Sequence, residues 1–240
     1  MTIVQHDHLQ SFRVHGYFAL PAFLNPTDLG ELRRACDVAL DRARAESAEN
    51  GHSTPKIGLF TELSYFAEQS DALVVLANFV GSARICALLE GLSHEDEDAT
   101  PHLENTDYYH EQTKHDWDGD WHRDSQFGQP DPELERRRIL GTTSVHVRVA
   151  LEDDDRLEIV PGSHRRWDTP EELQIRKGSK RTSSAMPGAK RMTLEAGDAC
   201  IFHAWSIHRA TYRRTPLRRT LDSLYAFRRV AARPWTVPNP

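Results

Sequence analysis

The 240-residue chain carries 30 basic and 36 acidic residues, a formal charge of −6, and is 38% hydrophobic. That length and apolar content support one sizeable core, and the acidic balance excludes the basic surplus of a nucleic-acid binder. Three cysteines, Cys36, Cys86 and Cys200, are too few and too scattered for a disulfide framework and read as small buried apolar residues. The first residues, Met1 to His6, have neither the charged region nor the apolar region of a secretory signal. The longest apolar run, Ala72 to Val80, falls short of the ~20 residues that span a bilayer. The expectation is a cytoplasmic protein with no membrane and no nucleic-acid partner; the composition does not fix its oligomeric state.

In chain order, residues 12–20 read as a short strand interrupted by Gly16. A helix follows, with Asn25 as N-cap, Pro26 at its first position and Asp28 in its electropositive first turn. Leu29, Leu32, Cys36, Leu40 and Ala43 recur at three-and-four spacing and form its apolar stripe. Ser47 to Lys56 is polar, with Gly51 and Pro55, and reads as a loop. A second helix is predicted over Asp71 to Leu92, burying Leu73, Leu76, Phe79, Val80, Ile85 and Leu88, and the acidic run His94 to Asp98 reads as a solvated loop.

From about residue 105 the pattern changes to short β-type runs: Thr106–Tyr109, Ser144–Leu151, Leu157–Val160, Lys190–Leu194, Ala199–Phe202 and Thr220–Phe227. Several short strands with glycine and proline punctuation predict an all-β sandwich or barrel. Within 144–150, Val145, Val147 and Val149 face one way and His146 and Arg148 the other, so a polar face lines either a pocket or the solvent. Residues 164–189 are basic and rich in Ser, Thr, Gly and Pro, the composition of a disordered connection or a lid. A single domain is expected, with a helical portion over about 1–104 and a β core over about 105–230.

The chemistry concentrates in Trp121-His122-Arg123-Asp124 and in His208. On an extended segment residues i and i+2 point to the same side, so His122 and Asp124 can grip one ion, and the third ligand must come from elsewhere in the fold. Two histidines and one carboxylate are the ligand set that leaves three adjacent positions open on ferrous iron. The competing reading makes His122 and Asp124 a surface pair and His208 a core histidine. His203, five residues before His208, reads as structural, and Trp121 and Trp205 as packing residues.

The residues around this set resemble those of the phytanoyl-CoA dioxygenase family of iron(II)/2-oxoglutarate oxygenases. The resemblance rests on Phe12-x-x-x-Gly16-Tyr17, on Phe23-Leu24-Asn25-Pro26, on Trp121-His122-x-Asp124, on Leu157 to His164, and on Gly197-Asp198, Phe202 and His208, all in order. It implies a mainly β fold with flanking helices: a double-stranded β-helix (a jelly-roll, cupin-like core) clad by N-terminal helices. It implies Fe(II) held by His122, Asp124 and His208, 2-oxoglutarate as co-substrate with O2, and a small-molecule substrate. Arg219 falls where the family binds the distal carboxylate of 2-oxoglutarate; Arg218 competes, since only one of two adjacent strand residues enters the barrel, and spacing favours Arg219. Gln112 lies in a region where the family places a polar side chain near the co-substrate. His146, Arg148 and Arg209 are the candidate substrate contacts. The chain departs from the family in Glu152 to Arg156, where glycines are usual, and in Arg209-Ala210, where Gly-Ser is frequent. Asp124 is present, whereas halogenating relatives lose the carboxylate, so the resemblance implies a hydroxylase or related oxidase. Two other readings are a metal-dependent cupin without 2-oxoglutarate and a noncatalytic jelly-roll binding module.

Overall fold

The structure, a computed structural model, describes residues 4–50, 56–93, 99–110, 116–127, 131–141, 143–178, 184–215 and 218–229. Its helices are α1 (His6–His15), α2 (Pro26–Asn50), α3 (Ser70–Val80), α4 (Ala83–Ser93), α5 (Pro132–Gly141) and α6 (Pro170–Lys177). Its strands are β1 (Tyr17–Leu20), β2 (Lys56–Gly58), β3 (Ala99–His110), β4 (Trp117–Asp118), β5 (Thr143–Ala150), β6 (Leu157–Ile159), β7 (Lys190–Arg191), β8 (Ala199–His203), β9 (His208–Tyr212) and β10 (Arg219–Arg229). A major antiparallel sheet runs β1-β8-β5-β10-β3-β2, and a minor one runs β4-β9-β6-β7.

Strand alternation splits the major sheet into two chemically distinct faces. Val145, Val147 and Val149 of β5, Ile201 of β8 and Leu221 and Tyr225 of β10 pack outward, against Leu32, Cys36 and Leu40 of α2 and Ile85 and Leu88 of α4. The opposite face turns Ala150, Cys200 and Phe202 toward Leu157, Ile159 and Leu194 of the minor-sheet side. The same inward face carries His146 and Arg148, which pair across β10 with Leu224 and Asp222. The polar residues of β5 therefore look into the space between the sheets. This is the double-stranded β-helix, mainly antiparallel β with helices clothing one face.

Several elements differ from expectation. Residues 12–15 belong to α1, not to a strand; the helix stops at Gly16, whose φ of +84° and N–H bond to Phe12 O form a left-handed cap. The α2 helix runs on to Asn50, and Lys56 already begins β2. The apolar stretch after residue 70 is two helices: α3 ends at Gly81, and Ser82 restarts the chain with its Oγ accepting from Ile85 N at 3.3 Å. Taken as one segment, Ser70–Leu92 is long and apolar enough to cross a membrane, contrary to the sequence expectation; here it is broken in two and packs partly on α2 and β3. The basic stretch 164–189 contains α6. The acidic run 94–98 lies outside the described residues.

Candidate metal centre

His122 and His208 are direct cross-strand partners. Each backbone N–H bonds the other residue's carbonyl, at 3.0 and 2.9 Å. Paired residues on adjacent strands project to the same side, and the two rings stand 4.3 Å apart. Asp124 follows after one residue, its own N–H fixed to Ala204 O at 3.1 Å. Its Oδ1 lies 3.5 Å from His122 Nε2 and 3.6 Å from His208 Nε2. One ligand atom from each of the three residues lies within 4.8 Å of the others. The second nitrogen of each ring is engaged: His122 Nδ1 donates to Asp120 O at 2.7 Å and His208 Nδ1 to Ser206 O at 2.9 Å. These bonds fix the tautomer that leaves both Nε2 lone pairs facing Asp124, as metal-binding histidines require.

Behind the triad runs a line of buried charges. His146 Nε2 donates to Asp124 Oδ2 at 2.6 Å and its Nδ1 to Asp222 Oδ1 at 2.8 Å, while the ring stacks on Phe202 at 4.4 Å. Arg148 in turn donates to Asp222 Oδ2 at 2.8 and 2.5 Å. Burial disfavours charge on His146, but Asp222 and Asp124 outweigh it and push its pKa up to about 9. Burial alone would raise Asp124; the His146 hydrogen bond and the imidazoles of His208, His146 and His122 hold it well below the usual carboxylate range. Burial, then the neighbouring His122, push His208 down to about 3, which keeps it in the neutral, ligating form.

The two adjacent arginines separate as strand geometry demands, but with the phase opposite to expectation. Arg219 faces the helices: its Nε donates to Tyr108 Oη at 2.8 Å and its Nη2 pairs with Asp37 of α2. It does not join the triad. Arg218 shares the inward phase of Thr220 and Asp222. It is 3% exposed, and Nε, Nη1 and Nη2 have no hydrogen-bond partner among the described residues. The guanidinium lies over the rings of Tyr109 (4.7 Å) and Tyr212 (5.6 Å), with Asp154 Oδ2 3.8 Å from Nε, too far for a hydrogen bond. Arg148 flanks Tyr109 as well, at 5.5 Å, and its Nη1 also has no hydrogen-bond partner among the described residues.

The remaining candidates divide. His146 is not on an exposed strand face; it supports Asp124. Arg209 is turned away from the metal side by alternation with His208, stacked on Trp121 at 4.5 Å and bonded to Glu158 at 2.7 Å. It therefore packs within the minor sheet, on the side away from the triad. Gln112 lies outside the described residues. His203 is buried away from the triad, against Phe12 and His164.

Sequence reasoning passed over Arg123, Tyr109 and Phe127. Arg123, set between two triad residues, is fully buried and bonds Asp168 at 2.9 and 2.7 Å, Ser163 O at 2.7 Å and the carbonyl of Trp205. Asp168 also receives Arg176 of α6, which bonds Glu135 of α5 at 2.8 Å. Phe127 is 59% exposed, with its ring 5.4 Å from that of His122. An aromatic three residues after a ligand was the available signal for Phe127; a buried arginine network has none in a single sequence.

A family model described as Phytanoyl-CoA dioxygenase (PhyH) matches residues 12–221. Among solved structures, EctD from S. alaskensis, crystallised with 2-oxoglutarate and 5-hydroxyectoine, is 18% identical with a TM-score of 0.65, covering 93% of this chain and 76% of its own. SnoK, the non-heme alpha ketoglutarate dependent carbocyclase from nogalamycin biosynthesis, is 16% identical with a TM-score of 0.63, covering 93% and 84%. HygX from Streptomyces hygroscopicus, with iron bound, is 14% identical with a TM-score of 0.62, covering 92% and 86%. No curated protein sequence matches the chain. Identities this low carry the fold alone, but the family model spans all but the ends, from the last turn of α1 to the start of β10, and takes in every triad residue: the chain belongs to the phytanoyl-CoA dioxygenase (PhyH) family.

Proposed function

We propose that the protein is an iron(II)- and 2-oxoglutarate-dependent oxygenase that hydroxylates an unactivated C–H bond of a small molecule. One observation carries the reading: three ligand atoms of a facial triad share an interior with a buried guanidinium that has no hydrogen-bond partner among the described residues. The donor set fits the metal. Two imidazoles and a carboxylate, gathered on one side, suit ferrous iron and leave its other side open. The orphaned donors fit the co-substrate. Buried N–H donors without hydrogen-bond acceptors are costly, and a carboxylate that accepts two of the Arg218 N–H groups removes that cost.

His122, Asp124 and His208 would hold the iron, and Arg218, between Tyr109 and Tyr212, would receive the distal carboxylate of 2-oxoglutarate. With both bound, the site supplies oxidation by O2 coupled to loss of CO2 and formation of succinate. The chain's own contribution is positioning and exclusion of water. Phe202 meets His208 edge-on at 5.2 Å and closes one flank. Phe127, exposed beside His122, is the aromatic surface an incoming substrate would meet. Hydroxylation is supported by the intact carboxylate at Asp124 and by the 5-hydroxyectoine held in EctD; the carbocyclase SnoK marks ring closure as the alternative outcome on this fold.

The test is an anaerobic titration with ferrous iron and 2-oxoglutarate, followed by admission of O2. A weak visible charge-transfer band and subsequent succinate are expected, with a substrate mass gain of one oxygen. Absence of both the band and succinate overturns the reading.

A further inference from the structure

We propose that His146 is a positioning residue that reserves one oxygen of Asp124 for the metal by holding the other. The inference rests on the triad reading above and adds a role for a residue outside the triad. Asp124 Oδ1 faces both imidazoles, at 3.5 and 3.6 Å, whereas Oδ2 faces only His146, at 2.6 Å. A carboxylate free to rotate can bring both oxygens to an ion and take up an additional position. Here Oδ2 is committed to a ring nitrogen. That ring is fixed by Phe202 stacked at 4.4 Å with an interplanar angle of 6° and by Asp222 Oδ1 at 2.8 Å. Asp222 is fixed by both bonds from Arg148. The chain Arg148–Asp222–His146–Asp124 thus runs from the sheet to the ligand, with every link between 2.5 and 2.8 Å. It keeps Asp124 monodentate and preserves the open positions.

The experiment compares wild type, His146→Leu, His146→Gln and Asp222→Asn, measuring cobalt(II) affinity by calorimetry and the visible d–d band of the cobalt form. Loss of an outer partner of this kind costs roughly 10- to 100-fold in metal affinity. His146→Leu is expected to weaken cobalt binding by that factor and to reduce the band intensity as a second oxygen joins the ion. His146→Gln, which keeps an N–H donor, should restore part of both. Asp222→Asn should weaken binding several-fold. Unchanged affinity and band in His146→Leu overturn the proposal; if that variant does not fold, unchanged values in Asp222→Asn do so. Wild type that binds neither cobalt nor iron removes the triad reading and this proposal with it, whereas wild-type binding with indifferent variants removes this proposal alone.

Discussion

At the scale of single residues, the sharpest contrast is between Arg218 and Arg219. Strand geometry says that two neighbours where the chain enters β10 point to opposite faces, and that much was legible. What spacing alone did not give was the phase. Yet the sequence held it. On β5 the polar residues His146 and Arg148 line the interior while the valines pack outward, and on β10 the same rule groups Thr220 and Asp222 with Arg218 and groups Arg219 with Leu221. Counting from His208 outranked that pattern and chose the neighbour that faces α2. The consequence is measurable. Hydrogen bonds to a charged group are worth about 1.5–3 kcal/mol, so Arg218→Ala should raise the KM for 2-oxoglutarate roughly 10- to 150-fold. Arg219→Ala should leave that KM within about threefold and lower stability instead, through lost contacts to Tyr108 and Asp37. Steady-state succinate formation together with thermal unfolding of both variants separates the two roles, and a KM effect confined to Arg219→Ala would reverse the assignment.

At the scale of elements, the strands were legible because alternation and turn residues are local signals, and β5, β6, β8 and β10 fall close to where they were expected. Of the three helices that escaped, α1, α5 and α6, the first and last did so for different reasons. Residues 12–15 look β-like in isolation, and only the positive φ of Gly16 places the boundary after them. The α6 helix did have a local signature: Thr169 accepts from Glu172 N at 3.2 Å, Glu172 bonds Thr169 N at 2.7 Å, and Pro170 follows the cap. It was hidden by the basic, Ser- and Thr-rich composition around it. What anchors α6 is not local at all. Arg176 and Arg123 converge on Asp168, and Arg176 continues to Glu135, so α5, α6 and the segment bearing His122 and Asp124 share one buried ionic network. Breaking a buried pair leaves an uncompensated charge, at about 3–5 kcal/mol, whereas a lost N-cap costs about 1 kcal/mol. Arg123→Met should therefore destabilise several times more than Thr169→Ala in denaturant unfolding. Equal losses would mean that the network holds no more than the helix end does.

At the scale of the whole molecule, the fold places two further histidines where α1, the β8–β9 turn and the turn after β6 meet, and these add to His208 in setting the response of the metal-free protein to acid. His203 Nδ1 accepts from Trp205 N at 3.2 Å, which requires the ring to be unprotonated there. His164 is wedged against Gly16, where a Cβ would lie 2.5 Å from its Nδ1. Burial, then the His164 ring, push His203 well below its usual range. Burial, only partly opposed by the bond to Arg13 O, pushes His164 down to about 4, with Arg165 and Arg123 adding to the fall. In the unfolded chain both rings titrate near the ordinary value of about 6.5. The folded state therefore binds fewer protons than the unfolded one between these values. Stability is complete above about pH 6.5 and declines as the pH falls toward 4, by about 1.4 kcal/mol per pH unit for each ring. His146 works in the opposite sense in the metal-free protein. Its pKa is raised to about 9, so its contribution is complete below about 6.5 and is lost as the pH climbs through 9. Metal-free protein should accordingly be most stable near neutrality and lose stability on both sides. His164→Asn should flatten the acid limb by about one proton, or 1.4 kcal/mol per pH unit, and leave the alkaline limb unchanged. Urea unfolding of the metal-free protein at half-unit steps from pH 4.5 to 9 measures both limbs, and an acid slope identical in wild type and His164→Asn would show that this ring is not held neutral by the fold.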